Sequence, residues 1–234
     1  MGMGYYGYFY DPTYMLVLVG VVICMLASAN VSRTFNKYSR FACKRGTTGA
    51  EAAAQILRGA GITDVRIEHI RGDLTDNYDP RSKVLHLSDT VYGSASVAAV
   101  GVAAHECGHA IQHQVGYAPI KVRSAIVPIV NLGSTLSWPV IVLGLILGSL
   151  NLLNIGIILF AFTLLFQIVT LPVEFNASGR ALRILDDSGM LYEDEMKGAR
   201  RVLTAAAMTY VTATISTLLQ LLRLIILFGN RRDD

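Results

Sequence analysis

The stretch Val102–His113, VAAHECGHAIQH, places His105 and His109 four residues apart, with Glu106 directly after the first histidine. In an α-helix, residues i and i+4 lie on one face, about 40° apart, so both imidazoles can reach one metal ion. Glu106 is turned about 100° from His105, which leaves its carboxylate free to accept a proton from a water molecule. The spacing His-Glu-x-x-His therefore predicts a helix that carries a catalytic zinc site.

His113 is a third histidine on the same predicted helix. It lies ~12 Å along the helix axis from His105, too far for both to bind one ion. Zinc sites that take a third histidine from the same segment place a glycine turn before it, and no glycine separates His109 from His113. We expect His113 to support a ligand from a distance or to be an ordinary surface residue.

Glu174, within Leu171–Leu182 (LPVEFNASGRAL), is the predicted third ligand. Pro172 predicts that an apolar run ends here and that a new helix begins. A carboxylate at a membrane boundary is costly unless it is engaged, which favours a ligand role over that of a simple helix N-terminal carboxylate. With His105 and His109 it would form a His₂Glu site with an open fourth position. Other acidic candidates for this role are Glu193, Asp194 and Glu195.

Four apolar runs cover about residues 13–31, 124–148, 152–173 and 202–229, and each is near or above the ~20 residues that cross a bilayer as a helix. We predict a mainly α, multi-pass membrane protein of about four transmembrane helices with a small cytosolic α+β, zincin-like domain. The predicted parts are an interfacial N-terminus with the first span (1–31), the zincin-like domain (32–121), a hairpin of spans two and three (122–173), a cytosolic helix and loop with the third ligand (174–201), and the last span with the tail (202–234).

Basic residues indicate how these spans are oriented. Residues 33–45 and 174–201 are rich in Lys and Arg, whereas 1–13 and 149–151 contain neither. The positive-inside rule then places 32–123 and 174–201 in the cytosol. Ala27-Ser28-Ala29 resembles a signal cleavage site, but nothing basic precedes the first run, which favours an uncleaved anchor.

Charge and cysteine content narrow the possible partners and compartment. The net charge of +3 is too small to indicate nucleic-acid binding, and the three cysteines indicate reduced thiols rather than a disulfide framework. The expected partners are the lipid bilayer and a polypeptide substrate. The sequence leaves a homo-oligomer or a membrane adaptor open.

The polar segment is predicted to fold as helix, β-hairpin and helix. Thr48 and Glu51 have the spacing of a capping box, which opens a helix that stops at Gly59 or Gly61. The strands are VRIEHI (65–70) and KVLHLSD (83–89), joined by turn-forming residues 72–82. The second strand precedes the long helix of 94–116 and is either an edge that binds extended substrate or an ordinary paired strand.

The segments LSDTVYGSASVAAVGVAA, HECGHAIQH and LPVEFNASGRALRIL together resemble the neutral zinc metallopeptidases of bacterial membranes, the YugP-like family, over nearly the whole chain. The resemblance implies a multi-pass protein of the bacterial plasma membrane with a cytosolic-face zinc site. The site is also similar to that of the CAAX prenyl proteases and HtpX, in which an aspartate four residues after the ligand glutamate supports a zinc-bound histidine. Here Ser178 holds that position, so Ser178, Asn176 or another group must orient the histidine.

The expected activity is zinc-dependent hydrolysis of peptide bonds in unfolded or membrane-associated polypeptides, with Glu106 as general base. For the oxyanion the sequence favours Arg180, near Glu174 in the chain, as the donor. Tyr78, His86 and Arg183 are the other candidate donors.

Two alternatives remain open. A non-catalytic scaffold or chaperone-like protein would hold zinc in a closed four-ligand site, but Cys107 projects about 200° from His105 and is poorly placed to complete it. A transporter would need ionisable residues inside the spans, where Arg223 alone is available.

Overall fold

The computed structural model describes residues 11–229, so the predicted interfacial N-terminus lies largely outside the described residues. The described part is mainly helical and contains one small sheet, as predicted. Its elements are α1 (Tyr14–Tyr38), α2 (Gly49–Gly59), β1 (Arg66–His69), β2 (Asn77–Asp79), β3 (Val84–Leu87), α3 (Val97–Gln114), α4 (Ala118–Ile146), α5 (Leu150–Asp187) and α6 (Glu193–Gly229).

Four of these helices, α1, α4, α5 and α6, are long and apolar enough to cross a membrane, which confirms the expected number of spans. The prediction that a new helix begins near Pro172 is wrong, because Pro172 lies inside α5 and the helix continues to Asp187. A proline removes one backbone donor, and long membrane helices tolerate this loss. The expected boundaries at 173/174 and 201/202 therefore fall within continuous helices.

The chain forms two compact units. One comprises Ala27–Ala125 and Val169–Tyr210 and contains the sheet, α2 and α3. The other comprises Ile126–Ile168 and the described parts of Met1–Leu26 and Val211–Asp234. The sheet-containing unit is larger than the predicted domain of residues 32–121, because it also includes parts of α1, α4, α5 and α6.

The core of the sheet-containing unit is built on α2 and α3. Thr48 caps α2 through a complete capping box with Glu51, as predicted. The helix buries Ala52, Ala53, Ile56 and Leu57, which share one face. α3 is buried on most of its surface, and its many small residues allow neighbouring backbones to approach closely.

The sheet overturns the predicted hairpin and decides between the two alternatives left open for the strand at 83–89, which is an ordinary paired strand. Its strand order is β1-β3-β2, with β1 parallel and β2 antiparallel to β3, so β1 and β3 do not form a hairpin. β3 is the central strand and is not a free edge. The hairpin prediction failed because it did not include β2, a three-residue strand within 72–82. The turn-forming residues of this segment predict a loop and not a strand.

The unit that contains Ile126–Ile168 has a partly buried ion pair. Arg223 donates from Nη2 to Asp11 Oδ2 at 3.0 Å, and its guanidinium lies 4.1 Å from the ring centroid of Tyr14. The side chains of Arg223 and Asp11 are only 12% and 21% exposed. The ionisable residue that a transporter would need is therefore engaged within the fold.

The α2 cap gives a stability prediction. Thr48→Ala should lower the free energy of unfolding by about 1 kcal/mol, because the amide of Glu51 loses its side-chain acceptor. Denaturant unfolding followed by circular dichroism measures the change. Thr47→Ala, one residue earlier, is the control, and equal losses for both variants would contradict the role of the cap.

Candidate metal centre and active site

The candidate site is formed by side chains of α3 and α5. α3 runs without a break from Val97 to Gln114, so His105 and His109 project from one face, as their spacing predicts. Glu174 lies on α5, and its side chain is 3% exposed. His105, His109 and Glu174 come together as a group whose donor atoms could hold one metal ion.

The separations within this group match a tetrahedral zinc site. The two Nε2 atoms lie 3.2 Å apart, and Glu174 Oε2 lies 3.3 Å from His105 Nε2 and 3.5 Å from His109 Nε2. Bonds of 2.0–2.1 Å in a tetrahedron separate the ligand atoms by about 3.3 Å. Glu174 Oε2 is also buried without a hydrogen-bond partner. The residues therefore fit a zinc ion placed between them.

The other oxygen of Glu174 is held by an arginine that the sequence analysis missed. Arg123 on α4 donates from Nη1 to Glu174 Oε1 at 3.3 Å. This contact occupies Oε1 and leaves Oε2 directed at the two histidines. Arg123 is far from Glu174 in the sequence, and no local pattern links them.

Hydrogen bonds to Nδ1 orient both histidines. Ser178 Oγ lies 3.1 Å from His105 Nδ1, and Gln112 Oε1 lies 3.1 Å from His109 Nδ1. The Gln112 amide donates from Nε2 to Val173 O at 2.8 Å and to Asn176 Oδ1 at 3.0 Å. Its Oε1 must therefore accept from His109, which places the proton on Nδ1 and the lone pair of Nε2 toward the metal position.

These contacts show which groups hold the two histidines in the absence of an aspartate at position 178. Ser178 orients His105 directly, and Asn176 supports His109 through Gln112. Gln112 was missed, although it follows His109 by three residues and so lies near it on α3. Its side chain is fully buried, which the amide of a glutamine tolerates only when it is hydrogen-bonded.

A cavity of about 300 Å³ opens beside the group and is lined by His105, Glu106 and Glu174. Glu106 is 8% exposed, and burial raises the pKa of its carboxyl group. Asp76 and Tyr210 also line the cavity and were not predicted. Asp76 accepts from the backbone N–H and hydroxyl of Ser88 at 2.8 and 2.9 Å, and burial raises its pKa as well.

Other predicted residues lie elsewhere. Arg180 does not line the cavity; its Nε donates to Asn176 Oδ1 at 2.7 Å. His113 is exposed, outside the metal-binding group, and its Nδ1 lies 3.3 Å from the Tyr78 hydroxyl. Cys107 points away from the cluster, as its helical angle predicts, with Sγ 3.7 Å from Ala53 O, and burial raises the pKa of its thiol.

The fold and the site together define a class, a membrane protein with four helices able to span a bilayer and a group of two histidines and a glutamate that could hold a metal ion. The family described as "Putative neutral zinc metallopeptidase" matches residues 13–229, and the chain belongs to this family. A "Putative membrane protease YugP" from Bacillus subtilis (strain 168) is 44% identical over 219 residues, which cover 94% of this chain and 97% of that protein. No solved structure matches the chain. The resemblance seen in the sequence is confirmed, and zinc is the metal that the family implies.

The close approach of α3 to α5 gives a prediction on zinc binding. A Cβ atom on Gly108 would lie 2.6 Å from Ala177 O, a distance that forces the backbones apart. Gly108→Ala should therefore lower zinc affinity by about tenfold or more, measured by competition with a chelator. Gly101→Ala is the matched control on α3, because its Cβ would meet Ala199 Cβ at 3.5 Å, an ordinary contact. Unchanged affinity in Gly108→Ala would contradict the prediction.

The orienting hydrogen bonds give a second prediction. Ser178→Ala should weaken zinc binding roughly 10- to 100-fold, because His105 loses the group that fixes its ring. Ser188→Ala is the control, since the Ser188 hydroxyl donates to the backbone oxygen of Leu185, 3.4 Å away, and not to a histidine of the metal group. Equal affinities for the two variants would show that Ser178 does not position the ligand.

Proposed function

We propose that this protein is a zinc-dependent endopeptidase of the bacterial plasma membrane that hydrolyses polypeptides at the cytosolic face. The observation that carries the proposal is the set of three donor atoms at tetrahedral separations beside Glu106 and an open cavity. Membership of a zinc metallopeptidase family and similarity to a membrane protease support the same activity.

The proposed metal ligands are His105 Nε2, His109 Nε2 and Glu174 Oε2. Three protein ligands leave the fourth position free, as catalytic zinc sites require. When bound, zinc supplies Lewis-acid polarisation of the substrate carbonyl and lowers the pKa of a water molecule to about 7. Arg123 keeps Oε1 of Glu174 engaged, so that the carboxylate presents a single oxygen.

Glu106 is the proposed general base. Its buried carboxylate lines the cavity next to His105 and Glu174, where it can take a proton from the attacking water and pass it to the departing amine. The developing oxyanion needs a hydrogen-bond donor. Arg180 as this donor stays a prediction; the cavity lining favours Tyr210, while Arg180 is hydrogen-bonded to Asn176.

The proposed substrates are unfolded or membrane-associated polypeptides. The proposed zincin-like domain corresponds to the sheet-containing unit, which contains the sheet, α3 and the candidate metal site. β2 is an edge of that sheet and begins directly after Asp76, which lines the cavity. An extended chain that adds to this edge by main-chain hydrogen bonds would run toward Glu106. Strand addition of this kind gives affinity with little sequence preference.

The cytosolic orientation is supported by basic residues in the same compact unit as the site. Five of them follow one another closely at the end of α1 and just after it, and the positive-inside rule assigns such a cluster to the cytosol. The cluster consists of Arg33, Lys37, Arg40, Lys44 and Arg45.

A scaffold with structural zinc would need a fourth protein ligand. Within residues 11–229, no further His, Cys, Asp or Glu joins the group of three, and Cys107 is directed into the core. This geometry favours the catalytic hypothesis. An oligomer or an adaptor forms no part of the proposal.

The proposal is tested by Glu106→Gln in purified full-length protein. Hydrolysis of an unfolded, fluorescently labelled polypeptide should fall by roughly 10²- to 10⁴-fold, because the base is removed, while zinc content stays at the wild-type level. The control is Glu193→Gln, whose side chain is 95% exposed. Wild-type turnover by Glu106→Gln would remove this residue from the mechanism.

A further inference from the structure

A second concave site lies in the sheet-containing unit, on a face of α1 and α6 that the catalytic cavity does not use. This groove has a volume of about 420 Å³. Four cationic side chains line it, Arg33 and Lys37 from α1 and Arg200 and Arg201 from α6. The groove and the catalytic cavity share no lining residue, although both helices contribute to each.

No carboxylate within residues 11–229 forms an ion pair with any of these four cations. The nearest acidic residues in the sequence, at the start of α6, are already engaged. Asp194 pairs with Lys44 at 2.8 Å, and Glu193 lies 3.9 Å from Lys197. Glu195 accepts from the backbone N–H groups of Lys44 and Tyr192, both at 2.7 Å. The groove therefore carries a local excess of positive charge.

Tyr38, on α1, contacts two of these cationic side chains, Arg201 and Lys37. Arg201 donates from Nη1 to the Tyr38 hydroxyl at 3.1 Å, and Lys37 Nζ lies 5.4 Å from the centroid of the same ring. These contacts hold like charges near one another, and a bound anion relieves the Coulomb repulsion between them. The arrangement is typical of a site for a phosphate group, which a guanidinium can bind through two parallel hydrogen bonds.

The apolar helices around the groove favour an anion that also carries an apolar part. Both helices that line it are long and apolar enough to span a membrane. Beyond Arg201, the α6 side of the groove continues with Thr204, Ala205 and Met208, which are uncharged. A ligand that follows this surface meets cations first and an apolar side chain after them, which matches a headgroup joined to acyl chains.

We propose that this groove binds the headgroup of an anionic phospholipid. Arg33, Lys37, Arg200 and Arg201 contact the phosphate, and the acyl chains lie along α6 from Met208. Basic pockets between membrane helices on the cytosolic side recognise lipids through this chemistry. The site is independent of zinc and of the peptidase activity, because none of its residues belongs to the metal group or the catalytic cavity.

The test is native mass spectrometry of the full-length protein in detergent, titrated with phosphatidylglycerol, phosphatidylcholine or inorganic phosphate. The groove variant combines Arg33→Gln, Lys37→Gln, Arg200→Gln and Arg201→Gln. The matched control removes the same charge from exposed positions outside the groove, by Arg58→Gln, Arg71→Gln, Arg81→Gln and Arg183→Gln. A circular dichroism spectrum and a melting curve establish that each variant is folded.

Phosphatidylglycerol should bind wild type and control with similar affinity. Each basic residue near an anionic headgroup contributes about fivefold in affinity, so the four substitutions together should lower the affinity by about a hundredfold or more. Phosphatidylcholine should bind all three proteins weakly and equally. Equal loss in groove and control variants would overturn the proposal in favour of net charge alone. Binding of inorganic phosphate as tight as that of phosphatidylglycerol would overturn it in favour of a soluble-anion site.

Discussion

The rest of the site depends on one buried interaction, the approach of the Glu174 carboxylate to the imidazoles of His105 and His109. Two imidazole nitrogens and a carboxylate oxygen within 3.5 Å of one another, largely shielded from water, form an arrangement that a divalent cation stabilises. The interaction joins α3 to α5 within the sheet-containing unit. Gly108 permits it, since any larger residue there would meet the backbone of Ala177.

A hydrogen-bonded network formed by residues of α3, α4 and α5 turns this contact into a defined geometry. Ser178 and Gln112 each fix one imidazole through Nδ1, and Arg123 fixes one oxygen of the carboxylate. Asn176 accepts from both Gln112 and Arg180 and so links the network to the surface of α5. Ser178 follows Glu174 by four residues on α5, which places both side chains on one face of the helix.

The parts of the site that could be predicted are those set by local periodicity. The four-residue spacing of His105 and His109 defines one helical face, and a buried carboxylate near a membrane end needs a partner, which indicated Glu174. Arg123 and Tyr210 could not be found in this way, because their proximity to Glu174 depends on how long helices pack. The sheet was mispredicted for a related reason. β2 is three residues long, too short for period-two alternation to stand out from turn-forming residues.

The segment before β2 contains a residue with an unusual backbone conformation, which the sequence alone does not predict. Leu74 lines the cavity beside His105 and Glu174 and has a φ of 55°, in the left-handed region that residues other than glycine rarely adopt. Such conformations persist where surrounding structure enforces them, often at functional sites. Here the strained residue stands two positions before Asp76, which Ser88 holds at the cavity wall.

The central claim is that Glu174, and not His113, completes the metal site. The most direct measurement is zinc content per chain together with zinc-edge X-ray absorption, for wild type, Glu174→Ala and His113→Ala. The account predicts one zinc per wild-type chain with nitrogen and oxygen ligands only, loss of the metal in Glu174→Ala, and its retention in His113→Ala. Retention in Glu174→Ala with loss in His113→Ala would contradict the account, because α3 would then have to break after His109.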